Sequence, residues 1–88
     1  MAVTVTLRFF AGARAATGID EVASVSDQEP TIGALLDALT PAPGVEPAEL
    51  ASVLGRCSFL VDGVTTRDRA AVVPAGAVVD VMPPFAGG

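Results

Sequence analysis

The side chains that usually do chemistry are nearly absent from this chain. It has no His, Tyr or Trp, and its five cationic side chains are all Arg (Arg8, Arg14, Arg56, Arg67 and Arg69), so Lys is missing too. No Ser-His or Cys-His pair can generate a nucleophile, no imidazole can bind a metal, and there is no Lys for a phosphate loop or a Schiff base. Cys57 is the single thiol, which excludes an intramolecular disulfide and a cysteine zinc cluster and is expected to be buried and inert. Among the acids, Asp62-Gly63 reads as a turn, Glu46 and Glu49 as helix-start charge, and Asp20-Glu21 as a solvated loop. The unusual reactive group that remains is the main-chain carboxylate of Gly88, at the end of "DVMPPFAGG".

A carboxylate is a poor electrophile until a partner enzyme converts it to an acyl-adenylate, whose AMP leaving group opens the carbonyl carbon to attack. Glycine suits that step because it has no Cβ to clash with a nucleotide or an attacking sulfur, and Gly87 and Gly88 together keep the backbone thin enough for a narrow channel. Pro83 and Pro84 favour extended backbone and cannot donate ladder hydrogen bonds, so they stop the preceding strand and project the last residues away from the sheet. The stretch "PFAGG" then reaches about 15 Å at roughly 3.3 Å per residue. Ordering it costs about 1 to 2 kcal/mol per residue, which a partner's channel must offset. Phe85 is the large apolar group available to anchor it, with Pro84 and Ala86 beside it. On this mechanism Gly88 must be the true end of the chain, since one added residue removes the reactive carboxylate.

The elements that must position this tail are set by periodicity. Val3, Val5, Leu7 and Phe9 alternate with Thr4, Thr6 and Arg8, the period of a strand with one buried face. Phe10 breaks the pattern by sharing a face with the polar set, and is a candidate exposed, functional aromatic. "AGARAATG" reads as a turn, and "DEVASVS" as a second strand with Val22 on one side and Glu21 and Ala23 on the other. "EPTIGALLDALTP" is the clearest helix, with Thr31 as N-cap, a stripe of Ile32, Leu35, Leu36 and Leu39, and Pro41 as its stop. "PAELASVLG" predicts a shorter helix that starts at Pro47 and closes at Gly55. "CSFLV", the Asp62-Gly63 turn, "VTT" and "AGAVVDVMP" supply the remaining strands.

The result is an α+β pattern with a mixed sheet of four to five strands, one main helix and one short one. Helices of this number cover one face of such a sheet and leave the other open. A chain of 88 residues, 51% hydrophobic and 17% charged, makes one small domain over 1–88, with 84–88 as a flexible tail. The net charge of -5 argues against nucleic acid or an anionic membrane as the main partner. The amino terminus lacks the unbroken apolar core of a signal peptide, and "AAVVPAGAVV" is too short to span a bilayer. A cytoplasmic protein is the default expectation.

"LRFFAGARAATG" and "VMPPFAGG" together resemble the small subunit of molybdopterin synthase, in the MoaD and ThiS group of ubiquitin-like sulfur carriers, and the likeness covers the whole length. The amino-terminal stretch is more typical of the molybdopterin branch than of the shorter thiazole carrier. The resemblance implies a β-grasp fold with the first and last strands parallel at the sheet centre. It also implies that Gly88 is adenylated by an E1-like, MoeB-like enzyme using ATP and converted to a thiocarboxylate by a sulfurtransferase. The sulfur would pass to cyclic pyranopterin monophosphate in a complex with a MoaE-like large subunit that supplies the catalysis. The chain itself would be no enzyme and would hold no permanent cofactor or metal.

Parallel first and last strands put Phe10 and Met82 at the same end of the sheet, where the tail leaves. With Asp80 facing outward, Val78 and Met82 share its face while Val79 and Val81 turn to the helix. Phe10, Met82 and Phe85 would form an apolar collar, extended by Leu60 if the parity of "CSFLV" allows, with Arg14 near enough to pair with a partner carboxylate. Two readings of the collar stay open: a docking surface for partners, or residues covered by the chain's own loops. Two other functions also stay open: a carrier feeding thiamine or cysteine biosynthesis, and a non-covalent β-grasp adaptor. Ubiquitin-like conjugation to other proteins is a further possibility, although the lack of Lys forbids lysine-linked chains of this protein on itself.

Overall fold

The computed structural model describes residues 2–82. Strand β1 (Val3–Phe9) is followed by helix α1 (Ala11–Thr17), β2 (Glu21–Ser26), α2 (Ile32–Asp37), α3 (Pro47–Leu54), β3 (Ser58–Val61), β4 (Val64–Thr66) and β5 (Val78–Met82). The five strands form one sheet in the order β2-β1-β5-β3-β4, with β1 and β5 parallel and the other neighbours antiparallel. The mixed sheet with few helices is the α+β, β-grasp arrangement that the periodicity and the resemblance lead one to expect.

Alternation decides which side of the sheet is buried. Val5, Leu7 and Phe9 of β1, Val79 and Val81 of β5 and Phe59 of β3 are all at most 2% exposed, and all project to the side that carries Ile32, Leu35, Leu36, Leu50 and Leu54 from α2 and α3. Each such side chain contributes about 1.5 to 3 kcal/mol through burial. The opposite positions of the same strands, Thr4, Thr6 and Arg8 with Val78, Asp80 and Met82, are exposed or half-buried.

Three local findings differ from expectation. "AGARAATG" is not a plain turn, because Ala11–Thr17 is helical. Alanine is the best helix former, and Gly18 closes the helix in the left-handed region at φ 72°, its N–H donating to the Arg14 carbonyl. Thr17 is fully buried yet satisfied, donating to the Ala13 carbonyl at 2.7 Å and accepting from the Ile19 N–H at 3.2 Å. Second, the expected main helix is the shortest: α2 ends at Asp37, before Pro41 is reached. A proline ring clashes with the carbonyl four residues earlier, here that of Asp37, so Pro41 stops the helix at a distance. The cap is as expected, with Thr31 Oγ1 accepting from the Ala34 N–H at 3.1 Å. Third, of the two readings of Glu21, as part of a solvated loop with Asp20 and as a member of the second strand, the strand reading holds: Glu21 begins β2, opposite Arg8.

The Asp62-Gly63 turn has φ 48° and 88° between paired Val61 and Val64, as a two-residue hairpin of the twist-matched type requires. Asp62 also ties the hairpin to β5, since its carboxylate accepts from the Val78 N–H at 2.9 Å while its own N–H donates to the Val78 carbonyl at 2.9 Å.

Two of the four positive-φ glycines among the described residues, Gly18 and Gly63, give a paired expectation. A Cβ at Gly18 would lie 2.7 Å from the Ala42 Cβ, whereas one at Gly63 meets nothing within 4 Å. Gly63→Ala is expected to cost about 1 kcal/mol for its left-handed conformation. Gly18→Ala adds an overpacking cost and should lose about 2 to 4 kcal/mol in urea unfolding. Equal losses would mean that the approach of α1 to the Ala42 loop is easily relieved.

Candidate functional site

The face of the sheet away from the helices is built by register. Glu21, Arg8, Asp80, Leu60 and Thr65 line up across the five strands as directly paired neighbours. Leu60, whose parity the sequence leaves open, therefore projects to this face opposite Asp80 and is half-buried, while Phe59 goes to the core. One row further along, Met82 pairs with Ser58, and the Phe10 N–H donates to the Val81 carbonyl at 3.3 Å, which carries the β1–β5 ladder past the end of β1.

Phe10 and Met82 thus sit side by side at the end of the sheet from which the chain continues beyond β5, with Phe10 37% exposed and Met82 half-buried. Described loops do not close over Phe10. The remaining expected members of the collar and tail, Phe85 with Pro84, Ala86, Gly87 and Gly88, lie outside the described residues, as does Pro83.

Behind Phe10 is an ionic contact that sequence reasoning did not single out. Arg8 Nε donates to Asp80 Oδ1 at 2.8 Å, and the guanidinium carbon lies 5.5 Å from the centre of the Phe10 ring, within cation–π reach. The Arg8 guanidinium is held above its ordinary range, chiefly by the hydrogen bond to Asp80, then by the Asp80 charge and more weakly by Glu21, against slight desolvation. Its charge is fixed at every physiological pH. The contact orients the aromatic ring at the collar by linking both central strands on the open face. The available signal was parity: Arg8 is the one cation on the outward positions of β1 and Asp80 the one acid of β5, but they meet only once the strands are known to be parallel.

Arg14 projects from α1, not from a turn. It is exposed and lies 3.5 Å from the Asp20 carboxylate, so its first partner is within the chain, in a solvated pair of the kind that contributes little. Among the described residues no group of His, Cys, Asp or Glu side chains is arranged to hold a metal ion, and no helix is long and apolar enough to cross a membrane. Glu46 precedes α3 and Glu49 lies in its first turn, where acids favour the helix dipole.

Taken together, the parallel central pair, the strand order and the one-sided helices define the class: a ubiquitin-like β-grasp protein. The profile of the ThiS family matches residues 7–88, and the chain belongs to that family. Members of this family work together with E1-like partner enzymes. Among solved structures, that of the Haloferax volcanii HVO 2177 protein is 29% identical with a TM-score of 0.71, covering 99% of this chain and 88% of the other. SAMP1 from Haloferax volcanii is 26% identical with a TM-score of 0.71, covering 97% of this chain and 99% of the other. The H. volcanii small archaeal modifier protein 1 structure is 25% identical with a TM-score of 0.69, covering 93% and 98%. No curated protein sequence matches significantly.

Cys57 completes the picture by its inertness. It is 4% exposed, its thiol donates to the Val53 carbonyl at 3.2 Å, and burial pushes its pKa up from the ordinary 9.0 while Arg56 opposes this weakly. A raised folded-state value stabilises the fold fully below the unfolded pKa, and that contribution is lost as pH rises through the folded one. Stability should therefore fall above about pH 9 in the wild type and fall less in Cys57→Ala. Alkylation by iodoacetamide at pH 8 should be at least about a hundredfold slower in the folded chain than in urea. Equal rates would show that the thiol is accessible.

Proposed function

We propose that this chain is a sulfur carrier whose reactive group is the C-terminal carboxylate of Gly88. An E1-like enzyme joins that carboxylate to AMP at the expense of ATP, releasing pyrophosphate. The terminal sulfur of a persulfide then displaces AMP, and thiol cleavage of the resulting S–S bond leaves a thiocarboxylate on Gly88. The observation that carries this reading is the family match continuing through residue 88, on a chain whose last strand lies at the sheet centre. The scarcity of side-chain nucleophiles supports it as well.

For the acceptor we favour cyclic pyranopterin monophosphate, in a complex with a molybdopterin synthase large subunit. The support is the amino-terminal stretch "LRFFAGARAATG", which resembles the small subunit of that enzyme. Phe10, Met82 and Leu60 offer apolar contacts for the large subunit and the activating enzyme, with Phe85, Pro84 and Ala86 in the tail. Arg14 is available at the rim, where a partner carboxylate would compete with Asp20.

A second reading has its own support, since two of the similar structures are of archaeal modifier proteins. The same adenylate would then be attacked by an amine of a target protein, forming an amide in place of a thioacid. Both readings require Gly88, and they differ in the nucleophile.

Incubation with an E1-like enzyme, ATP and a sulfur donor, followed by intact-mass measurement, tests the carrier chemistry. The chain should gain the mass difference between sulfur and oxygen, while a Gly88 deletion or a one-residue extension should gain nothing. Phe10→Glu combined with Met82→Glu should slow the gain by at least about tenfold with the fold intact. Failure to form either adenylate or thiocarboxylate with several such enzymes would sink the carrier reading. Covalent adducts with other proteins at Gly88, without thiocarboxylate, would select the modifier reading.

A further inference from the structure

The outer side of β2 is open in a specific way. In an antiparallel ladder, opposed residues alternate between exchanging both main-chain hydrogen bonds and exchanging none. The Phe9 N–H donates to the Asp20 carbonyl, while the Thr6 and Phe10 N–H groups donate toward β5. By that alternation and the β1–β2 register, Val22, Ser24 and Ser26 spend their main-chain groups on β1, and Glu21, Ala23 and Val25 aim theirs outward. Among the described residues no strand pairs with that edge. Val25 is 67% exposed, and β2 contains neither Pro nor Lys, the usual guards of an edge.

A groove runs along the same edge on the helix side. It has a volume of about 250 Å³ and is lined by Leu7, Val22, Leu35, Ala38 and Leu39 together with β2 itself. A strand laid against β2 would exchange hydrogen bonds at Glu21, Ala23 and Val25. Its residues opposite Val22 and Ser24 would project into this groove, and the alternate ones would lie on the open face beside Ala23 and Val25.

Charge selects the occupant. The ends of β2 carry Asp20 and Glu21 on one side and Asp27 on the other. Arg14 reaches Asp20 only at 3.5 Å, and Arg8, across from Glu21, is held by Asp80. A second copy of the chain paired antiparallel about Ala23 would set Asp20 and Glu21 of each copy near Asp27 of the other at both ends of the pairing, which is destabilising. We infer that the β2 edge and the β2–α2 groove take an extended segment of a partner protein, with apolar, β-branched residues at alternate positions and Lys or Arg flanking them. This surface is separate from the Phe10–Met82 collar, so it could be occupied while the chain end is engaged elsewhere.

The test uses the full chain and a capped peptide of about seven residues, with alternating valines in its middle and two lysines at each end. Expected are amide shifts confined to β2 and α2, slowed hydrogen exchange at Glu21, Ala23 and Val25, and weakening by salt. Ala38→Lys, on the exposed rim of the groove, should weaken binding at least about fivefold. Ala23→Pro should do the same by removing an outward N–H at an edge position that tolerates proline. If that variant does not fold, Ala38→Lys and a peptide with aspartates in place of the lysines carry the test. Equal binding of the acidic peptide, shifts centred on Phe10 and Met82, or no shifts at millimolar peptide would overturn the inference. Dimerisation of the chain through β2 would also overturn it, in favour of a second copy.

Discussion

The parallel pairing of β1 with β5 is the constraint on which the rest of this structure depends. Two strands at opposite ends of the sequence lie at the centre of the sheet, and neither can leave without breaking ladders on both of its sides. Val5, Leu7 and Phe9 from one and Val79 and Val81 from the other make the floor on which the helices pack. A parallel connection needs a long crossover, and everything from α1 to the β3–β4 hairpin is that crossover. The end of β5 at Met82 is therefore held in the central ladders of the sheet, next to Phe10. On the proposed chemistry, a terminus that is offered to a partner enzyme gains a fixed point of departure from this, and with it a smaller ordering cost on binding.

The same pairing explains why the two faces differ so sharply. In-register parallel neighbours put like parities together, so one face collects valine, leucine and phenylalanine while the other collects Thr6, Arg8, Val78 and Asp80. On the outward face Arg8 is held by Asp80 and lies against Phe10, so an aromatic that is partly exposed has little freedom to turn inward. A large apolar group presented in a fixed pose loses less entropy on docking than a mobile one. The open face carries the Arg8–Asp80 pair in its middle and Phe10 and Met82 at the end where β5 finishes, which on the proposed chemistry marks the end of the sheet that carries the terminus.

Much of this was legible in the residues. Alternation over Val3–Phe9 and over Val78–Met82 assigned both faces correctly, because a period of two leaves only the choice of side. The Thr31 cap and the Asp62-Gly63 turn were legible because each depends on the local chemistry of one or two residues. Helix α1 was missed because a stretch of Ala, Gly and Arg has no apolar stripe, and small residues suffice where Ala13 is buried against close neighbours. The end of α2 was misplaced because the steric effect of Pro41 acts four residues upstream. The parity of Leu60 and the Arg8–Asp80 contact were not readable at all without strand register, which is a property of the whole sheet. The tail residues assigned to the chemistry, Gly87 and Gly88, rest on sequence and family membership.

A body that holds an activated acyl group at its own end must not attack it. An acyl-adenylate reacts with amines and thiols, and this chain has no Lys, no His and no Tyr side chain to compete. Its single thiol is 4% exposed, bonded to the Val53 carbonyl and shifted by burial toward the unreactive protonated form. The cations that give the surface its few positive charges are guanidiniums, which stay protonated and therefore non-nucleophilic in water. On the proposed chemistry the poverty of the side-chain set is a functional property, because it leaves the partner's sulfur as the strongest nucleophile within reach of Gly88. On that chemistry specificity rests on surfaces, here proposed to be the apolar end of the sheet and the acidic strand edge.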